Sequence, residues 1–160
     1  RSVRHHSTGR RLRRPASLLA AALAAAMSLA GCSSAVEVAV PDAGGSSACA
    51  TAAESWPQTL AGQPVAETDP AAPAVRAWGD PAIIARCGVP ALGPTTDSCA
   101  VVDGIDWVVE DLEDGSRVTT FGRDPAIEVL VPEDYGAPAL LLPPLTEAAQ
   151  DLPRNDLTCT

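Results

Sequence analysis

The sequence contains no lysine, and its only histidines are His5 and His6, so neither residue type occurs beyond Cys32. A Ser-His-Asp triad, a Cys-His pair, an H-E-x-x-H zinc helix and a Schiff-base lysine each need one of these residues. A phosphate-binding loop also lacks its lysine, and no glycine-rich dinucleotide pattern is present. These absences exclude most familiar active sites from the chain beyond Cys32, and the sequence predicts no cofactor.

Positive charge is equally scarce beyond Cys32. Five arginines lie there against all 20 Asp and Glu residues of the chain, which gives this part a formal charge of −15. Phosphate backbones would repel such a surface, so nucleic acid is not an expected partner. A basic patch that grips anionic lipid heads is also missing, and any membrane attachment must therefore come from a covalent lipid.

The first 31 residues have the pattern of an export signal. Residues 1–14 are rich in arginine, and Ala16–Ala30 forms an uncharged segment made mostly of Ala and Leu. The segment is shorter than the roughly 20 apolar residues that a transmembrane helix needs, and no stop-transfer cluster follows it. We therefore predict a signal peptide over residues 1–31 that is removed, rather than a permanent membrane span.

A four-residue motif closes this signal. Leu29, Ala30, Gly31 and Cys32 resemble the bacterial lipobox, in which a small residue before cysteine admits the lipid-modifying enzyme and the lipoprotein signal peptidase. The resemblance implies a diacylglyceryl thioether on the Cys32 sulfur, a freed amino group open to acylation, and attachment to the outer face of the cytoplasmic membrane. The alternative is ordinary cleavage near residues 24–26, which would release a soluble protein.

Two export routes are compatible with a basic signal of this kind. The paired arginines are a feature of twin-arginine signals, but the residues after Arg11 do not fit the twin-arginine pattern. We therefore predict export by the general secretory route.

Four cysteines follow Cys32, namely Cys49, Cys87, Cys99 and Cys159. An even number of cysteines in an exported domain predicts two disulfides. Three pairings are open, of which Cys87 with Cys99 and Cys49 with Cys159 would close a loop and tie the two ends. A zinc site is disfavoured because no two cysteines are closely spaced and no histidine can assist.

The composition of residues 32–47, with Ser, Gly and small apolar residues, indicates a lipidated N-terminus and flexible linker, followed by one globular domain over 48–160. Within that domain, hydrophobic alternation and turn residues predict a β-hairpin and further strands, and helical spacing predicts a helix near each end. The predicted elements are a helix over Ala48–Ser55, strands over Val75–Gly79 and Ile83–Cys87, a hairpin of Ile105–Leu112 and Arg117–Phe121 around Asp114 and Gly115, a strand over Ile127–Val131, and a helix over Leu145–Leu152. The expected fold is α+β, a small, mainly antiparallel sheet stapled by disulfides with short helices near both ends.

Carboxylates are dense around the predicted hairpin, at Asp103, Asp106, Glu110, Asp111, Glu113 and Asp114. Two of them could act as acid and base, as in glycoside hydrolysis, but a turn with solvated flanks is the better interpretation. Calcium binding of the EF-hand type is disfavoured because Leu112 and Phe121 fall where oxygen ligands are needed. No metal site is predicted.

Two arginines and two tryptophans in strand-like segments are further candidates. Arg86 and Arg123 could clamp an anionic ligand or a partner, although pairing with the abundant carboxylates is the favoured role. Trp78 and Trp107 suit either the core or stacking on a sugar, with the core favoured.

Several motifs of the chain resemble one family. They are Trp78-Gly79-Asp80-Pro81, Ile83-Ile84-Ala85-Arg86-Cys87-Gly88-Val89, Asp103-Gly104-Ile105-Asp106-Trp107, and Thr120-Phe121-Gly122-Arg123 through Pro125 to Glu128-Val129. The pattern is similar to an uncharacterised actinobacterial family of exported, often lipid-anchored proteins, the domain of unknown function numbered thirty-five fifteen. The resemblance implies a cell-envelope location and carries no catalytic or binding role onto any residue.

The sequence thus predicts a lipid-anchored envelope protein with a non-enzymatic binding or accessory domain, whose partner would be the membrane and another envelope protein. A carboxylate-dependent hydrolase of envelope glycans is the alternative, and a purely structural, disulfide-hardened protein is a third reading.

Overall fold

The computed structural model describes residues 34–160. Their main element is an eight-stranded antiparallel sheet. The ten strands are β1 Val36–Glu37, β2 Thr59–Leu60, β3 Gln63–Ala66, β4 Thr68–Asp69, β5 Val75–Trp78, β6 Ile83–Val89, β7 Ser98–Val102, β8 Ile105–Leu112, β9 Gly115–Phe121 and β10 Ala126–Pro132. The sheet has the order β2-β3-β5-β6-β10-β9-β8-β7, and β1 and β4 form a separate parallel pair. The predicted signal peptide, the lipobox residues Leu29, Ala30 and Gly31, and the lipidated Cys32 lie outside the described residues.

Two tight turns connect neighbouring strands through residues with positive φ. Asp103 and Gly104 join β7 to β8, with φ values of 47° and 78°. Ala61 and Gly62 join β2 to β3 in the same way, with φ values of 53° and 74°. Positive φ at both central residues matches the twist of paired strands, and aspartate and glycine tolerate it well.

The β8–β9 turn differs by one residue from the prediction. Leu112 pairs with Gly115, so Glu113 and Asp114 form the turn and Gly115 begins β9. A Cβ at Gly115 would lie 2.1 Å from the carbonyl oxygen of Val131, so glycine is required here by the close approach of β10.

Two short helices pack against one face of the sheet. Helix α1 spans Ser47–Glu54 and begins where the Ser46 hydroxyl accepts a hydrogen bond from the Cys49 amide at 3.2 Å. Helix α2 spans Thr146–Gln150. The apolar residues of both helices join the core formed by the sheet, which contains Cys49, Ala52, Trp56, Leu60, Trp78, Ile83, Ala85, Cys87, Ile105, Trp107, Val118, Ile127, Val129, Leu142, Leu145, Ala148, Ala149 and Leu152. Trp78 and Trp107 are fully buried there, in agreement with the core role favoured from sequence.

The predicted fold class is confirmed as a mainly antiparallel sheet with two short helices and two disulfides. The placement of helices near both ends is not confirmed, because three 3-10 turns and α2 gather between residues 133 and 150. The helix predicted over Leu145–Leu152 is limited to Thr146–Gln150, preceded by a 3-10 turn at Pro143–Leu145.

The flexible linker predicted over residues 32–47 is not observed for residues 34–47, which belong to the same compact unit as the sheet. Val38 is only 7% exposed, and β1 pairs with β4. Gly44 lies directly on β6, where a Cβ added to Gly88 would be 2.3 Å from the Gly44 nitrogen. Gly44, one of the small residues that indicated a linker, is therefore needed for a close backbone contact, and residues 34–47 belong to the compact unit. No helix among these described residues is long and apolar enough to cross a membrane.

Candidate functional site

Two disulfides close the domain, as the cysteine count predicted. Cys49 of α1 is bonded to Cys87 of β6 inside the core, and Cys99 of β7 is bonded to Cys159. The favoured pairing of Cys87 with Cys99 and Cys49 with Cys159 is wrong, because α1 packs on the sheet face that carries Cys87. The C-terminal segment instead returns to β7, and the Cys159 amide donates to the Asp106 carboxylate at 3.2 Å.

Arg86, Glu128, Arg117 and Glu110 form an ionic cluster across adjacent strands on the sheet face opposite the helices. Arg86 is the register partner of Glu128, and its Nε lies 2.6 Å from Glu128 Oε1. Arg117 Nε lies 3.3 Å from the other Glu128 oxygen, and Arg117 Nη1 lies 2.8 Å from Glu110 Oε2. Glu128 is 7% exposed and therefore holds two cations from an almost buried position.

The two arginines singled out from sequence have different surroundings. Arg86 pairs with a carboxylate, which is the favoured role. Arg123 does not form an ion pair with any described residue, and its Nη1 donates to the Leu152 carbonyl at 2.8 Å and to the Gln150 carbonyl at 3.4 Å. Burial lowers the pKa of Arg123, nearby Arg154 lowers it further, and Asp106 opposes the shift. Arg123 thus satisfies carbonyls left unpaired at the end of α2, a role the strand pattern could not reveal.

Two of the candidate acid–base residues, Asp106 and Glu110, do not converge into a catalytic pair. Asp106 accepts from the Cys159 amide, and Glu110 is paired with Arg117. Both lie on the same face of β8 but four residues apart, about 13 Å along a strand, whereas glycosidase carboxyl pairs are separated by roughly 5 to 9.5 Å. The remaining acids, Asp103, Asp111, Glu113 and Asp114, are all exposed. Within residues 34–160, no three His, Cys, Asp or Glu side chains gather to hold a metal ion.

A groove of about 720 Å³ lies between α1 and strands β3 and β5. We call it the α1–β5 groove and define it by Ala35, Ala53, Trp56, Val65, Glu67 and Arg76. Trp56 is fixed there by a hydrogen bond from its Nε1 to the Pro73 carbonyl at 3.0 Å and by an edge-to-face contact with Trp78, whose ring centroid is 6.5 Å away. The volume is within the range of about 300 to 1,000 Å³ that is typical of small-molecule sites.

Arg76 is the cation of this groove. It lies on the same face of β5 as Trp78, since side chains alternate along a strand. Its Nε is shielded from solvent and has no hydrogen-bond partner, although buried donors are rarely left without one. Arg76 was not among the candidate residues predicted from the sequence. Its apolar neighbours in Val75–Trp78 give the same signal that singled out Arg86, but the groove itself is assembled from distant parts of the chain.

The fold and the cysteine pairs define a class, a disulfide-closed antiparallel β domain with two short helices on one face of the sheet. The family described as Protein of unknown function (DUF3515) matches residues 15–155. The chain belongs to this family, which confirms the domain of unknown function indicated by the sequence motifs. No curated protein and no solved structure gives a significant match.

Proposed function

We propose that this protein is an exported lipoprotein, held at the outer face of the cytoplasmic membrane by lipid on Cys32, whose domain over residues 34–160 is a non-enzymatic binding or accessory domain. The observation that carries the proposal is the pairing of all four cysteines of the domain into two disulfides. Such disulfides persist in oxidising compartments outside the cytoplasm and are rare inside it.

The position of the lipobox relative to the domain supports the anchor. Ser34, the first residue of the compact unit, is two residues after Cys32. Two residues span at most about 7 Å. A lipid on Cys32 would therefore hold the domain directly on the membrane surface, without a long tether.

A binding role is favoured over catalysis by the chemistry of the side chains. The chain beyond Cys32 has no histidine or lysine, and Glu110 and Glu128 are engaged in ion pairs. The α1–β5 groove offers an apolar surface and one cation without a partner, which suits recognition of a ligand.

Replacing the anchor residue gives the first test. In a host with the bacterial lipoprotein pathway, we expect Cys32→Ser to abolish incorporation of a clickable fatty acid and to leave the signal peptide uncleaved, because the acceptor sulfur is lost. Ser33→Ala is the matched control and should be labelled and processed like the unaltered protein. Fluorescence of the labelled band and its migration on a gel measure both effects, and undiminished labelling of Cys32→Ser would refute the anchor.

A further inference from the structure

The α1–β5 groove combines several apolar side chains with one cation, Arg76, and one carboxylate, Glu67. Ala53, Trp56 and Val65 provide apolar walls, and Glu67 is exposed. Arg76 contributes the guanidinium, whose Nε is cut off from water and has no partner. This combination suits a ligand with an anionic group at one end and a hydrocarbon body.

The guanidinium of Arg76 differs from those of the other described arginines. Arg86 and Arg117 are engaged by carboxylates, and Arg123 is engaged by backbone carbonyls. Arg154 is exposed to solvent. Arg76 alone among the described arginines has a solvent-shielded Nε with neither a hydrogen bond nor an ion pair. Because protein atoms cover Nε, a carboxylate can reach this guanidinium only through its terminal nitrogens, as a charge-assisted hydrogen bond.

The groove also lies near the proposed lipid anchor. Ala35 belongs to its lining and is three residues after Cys32. Three extended residues span at most about 11 Å, so the groove opens close to the membrane surface if Cys32 is lipidated. A ligand that resides in the membrane would reach it without crossing water.

From these observations we infer that the α1–β5 groove binds a fatty acid, with the carboxylate on Arg76 and the acyl chain against Trp56 and Val65. This inference rests on the proposed function, because it places the groove at a membrane. A bilayer of anionic lipids is disfavoured as the ligand, because the formal charge of −15 beyond Cys32 would repel an anionic surface. The same charge repels a single fatty acid far less.

Bromine atoms on a lipid chain quench the fluorescence of a tryptophan that they contact. The fluorescence of Trp56 therefore reports whether a brominated ligand occupies the groove. The lipidated protein is reconstituted in phosphatidylcholine vesicles that contain either a brominated fatty acid or the brominated fatty alcohol of the same chain, at alkaline pH. We expect half-maximal quenching at about tenfold less acid than alcohol, as a charge-assisted hydrogen bond implies. Trp56→Phe should remove most of the quenching, because Trp56 lines the groove, whereas Trp78 and Trp107 do not.

Two arginine variants separate the groove from general charge effects. Arg76→Gln should lose the preference for the acid, whereas Arg154→Gln, which changes the net charge equally at an exposed site, should keep it. Thermal unfolding shows whether each variant is folded. If Arg76→Gln does not fold, the comparison of acid with alcohol on the unaltered protein still shows whether the groove prefers a fatty acid.

Flotation of the same vesicles reports the anchor independently of quenching. Protein that floats but is quenched equally by acid and alcohol would overturn the fatty acid site while leaving the anchor intact. An acid preference that persists in folded Arg76→Gln would also overturn it. Protein that fails to float would instead count against lipid on Cys32.

Discussion

Replacing both Cys49 and Cys87 by alanine is expected to lower the free energy of unfolding by about 4 kcal/mol. The bond closes a loop with a sequence separation of 38, and the chain entropy released in the unfolded state by opening such a loop is about 4 kcal/mol. Both cysteines are completely buried between α1 and β6, so their replacement also leaves imperfect packing. Because small domains are stable by only about 5 to 15 kcal/mol, this loss is a large fraction of the total.

The second disulfide provides the matched comparison. Cys99 and Cys159 have a larger sequence separation of 60, but their bond joins an edge strand to residues 155–160, which form neither helix nor strand. Without the bond, this segment can detach while the sheet remains folded, so the folded state also gains entropy. We therefore expect a smaller loss for Cys99→Ala with Cys159→Ala. Urea unfolding followed by tryptophan fluorescence measures both variants, and a Cys49/Cys87 variant as stable as the unaltered protein would contradict the structure.

Glu128→Gln is expected to lower the free energy of unfolding by about 2 to 3 kcal/mol. Removing one member of a buried ion pair costs roughly 3 to 5 kcal/mol, because the remaining charge is left without compensation. The Arg86 side chain is 25% exposed, so water compensates part of the loss. Glutamine has nearly the same shape as glutamate and keeps one hydrogen-bond acceptor. The substitution therefore changes mainly the charge of the side chain.

Glu110→Gln is the control for this prediction. Glu110 pairs with Arg117 on the same face, but its side chain is 55% exposed. Exposed ion pairs contribute about 0 to 1 kcal/mol, so we expect little change. Chemical denaturation of the two variants side by side gives the difference. Equal losses of unfolding free energy for Glu110→Gln and Glu128→Gln would show that the contribution of the ionic cluster to stability does not depend on the burial of Glu128.

The central strands of the fold were predictable because their signals are local. The turn signal at Asp114 and Gly115 marked β8 and β9, alternating apolar residues marked β10, and a proline ended that strand. Strands β2, β3, β4 and β7 were missed because they are short and lie among Pro, Gly and Thr residues that indicate loops. Even so, Asp103 and Gly104 between two apolar runs are a hairpin signal that identifies β7 in retrospect.

The candidate site was less predictable, because it depends on contacts between distant segments. The pairing of Cys49 with Cys87 follows from the docking of α1 on β6, which no local pattern specifies. The α1–β5 groove likewise joins Ala35, Trp56 and Arg76, three residues from separate parts of the chain. Arg123 shows the same limit, since its partners are the carbonyls of Gln150 and Leu152, which lie at and just beyond the end of α2 and more than 20 residues later in the chain.

The intact mass of the protein extracted from membranes without reduction tests the central claim, an exported domain anchored by lipid on Cys32 and closed by two disulfides. We expect a chain that begins at Cys32, carries the mass of a diacylglyceryl group with or without a further acyl chain, and lacks four hydrogens because of its two disulfides. Fragmentation should place the lipid on the first residue. A chain that retains its signal, or one that carries neither lipid nor disulfides, would contradict the account.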